Sequence, residues 1–168
     1  MEGTIVNKVA NSGIITLNLE EYFPKEAVTV FDLKDYLFMG LILKEKDFRQ
    51  QLSQTDWEQY TDKNVTITCS ADAIIPNWAY MLVTTYLQPI AKSVYYGDEA
   101  AFISQYVIRR IEESEGFPFS DKRVVIKGCG ENDLPAGAFI AITQKLLPFV
   151  KSLMYGEPCS TVPVFKRK

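Results

Sequence analysis

Histidine is missing from the chain altogether. That excludes the Ser-His-Asp and Cys-His arrangements of nucleophilic catalysis as usually built. It also removes the side chain best suited to proton transfer near neutral pH. Zinc patterns that need an imidazole, HExxH included, go with it. Chemistry by this chain falls to Cys, Asp, Glu, Lys, Tyr, Ser or Thr. Cysteine is scarce too, at three residues. An odd number fits poorly with a secreted disulfide framework and better with free or metal-bound thiols in a reducing compartment. No apolar run approaches the roughly 20 residues needed to span a bilayer, and the N-terminal MEGTIVNKVANSG lacks the charged-then-apolar order of a secretory signal. The expectation is a soluble cytoplasmic protein without a membrane partner. Positive charge is not in surplus either: 18 Lys and Arg stand against 21 Asp and Glu, for a net charge of -3. Nucleic-acid binders normally carry a basic surplus or stripe, so nucleic acid is not an expected partner. The one basic run, Lys166-Arg167-Lys168, reads as a solvated tail.

What is present is ordinary for a globular chain. With 168 residues, 47% hydrophobic and 23% charged, a single domain over 1–168 is expected. The clearest organisational feature is internal. The stretch NVTITCSADAIIPNWAYMLVTTYLQPIAKSVYYGD (64–98) aligns without a gap on RVVIKGCGENDLPAGAFIAITQKLLPFVKSLMYGE (123–157). Identical pairs include Val65/Val124, Pro76/Pro135, Thr84/Thr143, Pro89/Pro148, Tyr96/Tyr155 and Gly97/Gly156. Two copies are too few for a solenoid, so this is duplication within one domain.

Each copy spells β-α-β. Val65–Cys69 alternates apolar residues with Thr, a period-two pattern, and Val124–Ile126 is a short apolar run suited to a more buried strand. A polar loop follows, then Pro76 or Pro135, which suits the first turn of a helix. Ala79, Leu82, Val83, Tyr86, Leu87 and Ile90 form one apolar face of that helix. Pro89 and Pro148 kink or end the two helices at matching points. Val94–Tyr96 and Leu153–Tyr155 read as the next strands, stopped by Gly97 and Gly156. A further helix over Glu99–Ser114 links the copies. The alternation predicts an α/β fold: a mainly parallel sheet flanked by helices, with right-handed crossovers and a duplicated β-α-β unit (65–98 and 124–157). Ahead of it, Ile14–Leu19 and Val28–Leu33 read as strands of a β-hairpin-like edge, and Gly40–Leu52 as a helix. Val162–Phe165 reads as a last edge strand, where a proline is tolerated.

In such sheets ligands bind outside the carboxyl ends of the strands. Cys69 ends one strand, Cys129 follows another, and Cys159 comes just after Gly156, so a single parallel sheet would carry all three thiols on one edge. Asp72, Glu131 and Asp133 accompany them, Asp72 and Glu131 at equivalent places of the repeat. Zinc held by two or three of these thiolates and a carboxylate is one reading. A thiol nucleophile is another, with Cys129 the candidate, since a helix N-terminus favours the thiolate. Against both, cysteines are commonly just small buried residues, and no pair here has C-x-x-C spacing. Cys129 also aligns with Ser70 rather than Cys69, a one-residue shift that turns a strand side chain to the other face. KGCGENDLP (127–135) invites a nucleotide reading but has Asp133 where the dinucleotide fingerprint needs its last glycine. Its Gly128 and Gly130 allow a close backbone turn or a small anion near the helix start. Tyr96 and Tyr155, at strand ends, are weaker candidates for contacting a ligand.

LFMGLILKEKDFR, TCSADAIIPNWAYML, VVIKGC and SLMYGEPCSTVPVFKRK together resemble an uncharacterised bacterial family, domain-of-unknown-function family 2480, over nearly the whole chain. The resemblance implies a small stand-alone cytoplasmic protein and carries over no activity, cofactor or catalytic residue. Three functional readings stay open: a soluble binding protein, with zinc or a small molecule as ligand at the carboxyl edge; an enzyme using Cys129, with backbone N–H groups of its loop stabilising an oxyanion; and a protein–protein or homo-oligomeric module without a small-molecule site.

Overall fold

A computed structural model describes residues 13–127, 130–157 and 159–168. Its strands are β1 (Ile14–Leu17), β2 (Val28–Asp32), β3 (Asn64–Thr68), β4 (Ser93–Tyr96), β5 (Arg123–Ile126), β6 (Ser152–Glu157) and β7 (Ser160–Lys166). Its α-helices are α1 (Glu45–Gln54), α2 (Asn77–Leu87), α3 (Glu99–Glu113) and α4 (Ala136–Leu146). The fold is α/β, with largely parallel sheets flanked by helices. Among the described residues, no helix is long and apolar enough to cross a membrane.

The strands form two sheets where one was expected. One has the order β1-β5-β6-β7, the other β2-β3-β4. The pairing is parallel throughout except for β6 against β7. The chain likewise divides into two compact units, residues 13–23 with 106–168 and residues 24–105. The N-terminal hairpin is therefore not formed. β1 and β2 exist, but β1 pairs with β5 and β2 with β3, each in parallel. The neighbours explain the choice. Val124, Val125 and Ile126 of β5, and Val65 and Ile67 of β3, are buried. An edge strand laid on either covers apolar surface that β1 and β2 could not supply to each other.

Residues 24–105 pack around Phe31, Leu33, Phe48, Leu52, Val65, Ile67, Val83 and Leu87. Full burial of such a side chain stabilises by about 1.5–3 kcal/mol. α2 turns Ala79, Val83 and Leu87 inward at four-residue spacing, and α4 does the same with Ala138, Ile142 and Leu146. Both helices stop two residues before Pro89 and Pro148, whose rings would clash with the carbonyls four residues back. Positions 59 apart share local geometry. Asp62 and Asp121 both have φ 58°, and their N–H groups donate to Ile90 and Phe149 at 2.9 Å each. Thr84 and Thr143 both return a hydroxyl to the carbonyl four residues earlier at 2.7 Å.

Two local expectations are corrected. The helix read from Gly40 begins only at Glu45. Met39 (φ 52°) and Gly40 (φ 71°) form a tight turn instead, closed by a bridge between Phe38 and Ile42. Gly40 supplies the left-handed backbone that this turn needs and a helix forbids. Gly156 does not end its strand: β6 continues to Glu157, with Gly156 opposite Thr161. At φ 123°, and with the Ser160 carbonyl 2.5 Å from where a Cβ would stand, only glycine fits there. Gly97 (φ 110°) does end β4. Pro163 lies on the edge strand β7 beside a register shift, as its missing N–H requires.

Candidate functional site

The carboxyl ends of β1, β5 and β6 converge on one cleft. β1 ends at Leu17, whose carbonyl accepts the Lys127 N–H at 2.9 Å, extending the ladder past β5. Asn18 then turns the chain into a 3-10 turn over Leu19–Tyr22, accepting the Glu20 N–H on its side-chain oxygen at 3.1 Å. This aims Glu20 at the loop after β5. Its carboxylate accepts the Asn132 backbone N–H at 2.8 Å and the Asn132 side-chain amide at 3.3 Å. A side chain at Gly130 would overlap that carboxylate, so the contact as it stands needs glycine there, and any larger residue would push the Glu20 carboxylate aside. The Asn132 N–H holds the Glu20 carboxyl below its ordinary value. Partial loss of water opposes this, and Asn18, the Glu131 N–H and the Asn132 side chain reinforce it.

The loop so held walls a cleft of about 460 Å³, lined by residues 130–134 with Phe139 of α4 and Tyr155 of β6. The two rings meet edge to face, centroids 5.8 Å apart at 72°. A second cavity of about 240 Å³, lined by residues of α4, β6 and β7 with Ile126, shares Phe139 and Tyr155 as walls.

Residues 24–105 carry a related arrangement. Asp32, at the end of β2, accepts the Lys34 N–H at 3.0 Å and so starts the 3-10 turn Leu33–Tyr36. The same carboxylate accepts the Ser70 N–H at 3.0 Å and the Ser70 hydroxyl at 2.5 Å, and Lys34 stands 3.7 Å away. Burial works against ionisation of Asp32, but the bonds from Ser70 and Lys34 outweigh it and its pKa is lowered. Tyr80 and Tyr96, counterparts of Phe139 and Tyr155, also meet edge to face at 5.4 Å and 82°. Burial chiefly, then Tyr96 and Cys69, push the Tyr80 phenol up.

The sequence-derived candidates distribute as follows. Glu131 and Asp133 line the 460 Å³ cleft. Cys159 is exposed, in the connection between β6 and β7. Cys69 follows β3 directly, half-buried against the core of residues 24–105, with its thiol 3.7 Å from the Ala71 carbonyl. Asp72 is exposed in the loop after it. Cys129 lies outside the described residues. The expectation of one sheet edge bearing all the thiols is corrected for the described pair: Cys69 follows a strand of the β2-β3-β4 sheet, Cys159 a strand of the other. The chain leaves β4 through α3 into a new sheet instead of extending the first. Among the described residues, no group of three or more Cys, Asp or Glu is placed to hold a metal ion.

Glu20, Asn132 and Phe139 were not singled out in the sequence. The sequence signals the turn but not Glu20 itself: LNLEEY (17–22) and FDLKDY (31–36) match in pattern, with Asn18 opposite Asp32 and Glu20 opposite Lys34. Both become a strand followed by a side-chain-capped 3-10 turn.

A family model described as "Protein of unknown function (DUF2480)" matches residues 3–167. No curated protein and no solved structure matches the chain. The chain belongs to the DUF2480 family.

Proposed function

We propose that this DUF2480 protein binds a small molecule in the cleft at the carboxyl ends of β1, β5 and β6. The observation that carries the reading is the cleft itself: about 460 Å³, within the range of small-molecule sites, at the strand ends where parallel sheets bind ligands. Its rim carries Glu131 and Asp133 beside Asn132, whose amides are held by Glu20, and its inner wall is aromatic. The carboxylates disfavour an anionic ligand. We read the 59-residue correspondence as an internal duplication whose second copy became the binding half: Gly130 replaces Ala71, and Asn132 replaces Ala73. The protein acts in this reading as a cytoplasmic binding module.

The test is an NMR screen of the full chain with a fragment set spanning neutral, cationic and anionic compounds. Neutral or cationic fragments are expected to shift the amides of residues 131–134, and Tyr155→Ala to weaken them at least fivefold. If no fragment shifts these amides, the reading fails. Dialysis against zinc with metal analysis and thiol titration runs beside it. Stoichiometric zinc with protected thiols would replace the small molecule by a metal. Metal-free protein with one fast thiol mapped to Cys129 would favour the nucleophile.

A second reading has its own observation. The tight turn at Phe38–Ile42 exposes Phe38, Met39, Leu41 and Ile42, with Met39 81% accessible. Single exposed apolar residues are common, but four clustered on one turn favour a protein partner. Association that rises with concentration in light scattering, and disappears in Met39→Glu, would support self-association; a strict monomer would leave only a foreign partner.

A further inference from the structure

The 240 Å³ cavity gives the ligand of this cleft a second half. Its walls include Ile142 and Thr143 of α4, Leu153 of β6 and Val164 of β7. Thr143 spends its hydroxyl hydrogen on the Phe139 carbonyl, so the walls are almost wholly apolar. The space exists because β7 adds one strand beyond β6 and presents Val164, 55% accessible, beside α4. The two spaces adjoin. Phe139 and Tyr155 line both, and their edge-on contact is the partition between a polar mouth and an apolar recess. A purely polar ligand would leave the recess filled with poorly bonded water or empty; a purely apolar one would strand its surface against Asn132, Glu131 and Asp133.

Resting on the reading of the cleft as a small-molecule site, we infer that the ligand is an amphipathic molecule with an uncharged or cationic head. The head sits against residues 131–134. The tail, an aliphatic chain or single ring system, reaches past the Phe139–Tyr155 ring pair into the recess beside Val164. At about 30 Å³ for each methylene-sized group, the recess accepts a tail of about eight.

The probes are 1-butanol, 1-hexanol, 1-octanol, 1-decanol, octylamine and octanoate, with acetamide as a short polar probe. They are titrated into the full chain and followed by amide and methyl NMR. Affinity is expected to tighten roughly fourfold per added methylene up to about eight carbons and then level off. The Ile142, Leu153 and Val164 methyls should move together with the 131–134 amides. Octanoate should bind at least tenfold more weakly than octylamine. Val164→Trp, on an exposed edge position, should fill the recess and remove the chain-length dependence; Thr143→Leu is the second filler should the first disturb β7. Acetamide shifting the 131–134 amides while alkanols show no length dependence would overturn the amphipathic ligand and leave the cleft reading standing. Methyl shifts without amide shifts would overturn it too, because the recess would then bind alone. Octanoate equalling octylamine would overturn the head-group assignment. Silence from every probe at both places would sink this inference and the cleft reading together.

Discussion

Replacing Phe31 by alanine should unfold much of the 24–105 unit, and the structure says why. Phe31 is 1% accessible. Its ring lies parallel to Tyr36 at 5.2 Å and 14° and to Trp57 at 5.6 Å and 7°, and meets Tyr60 at 5.8 Å. Trp57 continues the stack onto Tyr86 at 4.6 Å, and its indole N–H is spent on the Leu52 carbonyl at 2.9 Å. Phenylalanine-to-alanine changes in cores cost about 3–5 kcal/mol. With three ring neighbours to strand, Phe31→Ala belongs at about 5 kcal/mol, the upper end of that range. Phe31→Leu keeps most of the apolar bulk and should lose about 1.5 kcal/mol, taking about 0.5 for each of three ring pairs. Domains have only about 5–15 kcal/mol in hand, so the alanine variant is near the limit of folding. The assay is urea unfolding followed by tryptophan emission. Both tryptophans, Trp57 and Trp78, lie in residues 24–105, so the signal reports that unit. A loss under about 2 kcal/mol for alanine, or equal losses for alanine and leucine, would refute the claim that a ring stack organises this core.

Other consequences are as direct. Glu20 has its pKa lowered from 4.5, so its hold on the loop is complete above that value and is lost as pH falls through the lower folded value. The Asn132 amide resonance should therefore move between pH 4.5 and more acidic conditions, and Glu20→Gln should flatten that titration. Gly130→Ala must displace the Glu20 carboxylate, and the Asn132 amide should lose its downfield shift at pH 7. Gly156→Ala should cost about 1–3 kcal/mol in thermal or urea unfolding, because the backbone there suits only glycine. Cys159 is exposed and Cys69 is half-buried with its thiol near a carbonyl, so Cys159→Ser should remove one fast-reacting equivalent in a thiol titration and Cys69→Ser should not.

Much of the local structure was written in the residues. Apolar spacing and the prolines placed α2 and α4, because a helix must bury one stripe and cannot continue through a proline ring. The alternation of Val65–Thr68 and the run Val124–Ile126 placed their strands for the same reason, a face or two to be covered. The Gly97 stop and the edge position of Pro163 followed from what each backbone can and cannot do. The lack of histidine closed off whole classes of chemistry before any fold was considered.

Partnership was another matter. Nothing local to Ile14–Leu17 or Val28–Asp32 says which interior strand each will lie on, since both present the same apolar edge to any comparable neighbour. Two sheets rather than one, and with them the separation of Cys69 and Cys159 onto different sheets, came from that long-range choice. The cleft has the same origin. Glu20 and Asn132 are 112 positions apart, and each alone is an ordinary surface residue. Only when β1 lies along β5 does the carboxylate reach the loop, take the space beside Gly130 and hold residues 130–134 beside Phe139 and Tyr155. Spacing along one segment was enough to place most helices and strands and their buried faces, but not every boundary: the turn at Met39–Gly40 took the start of α1 from Gly40 to Glu45. Which segments meet was settled at long range, because burial rewards any good match and the whole chain selects one.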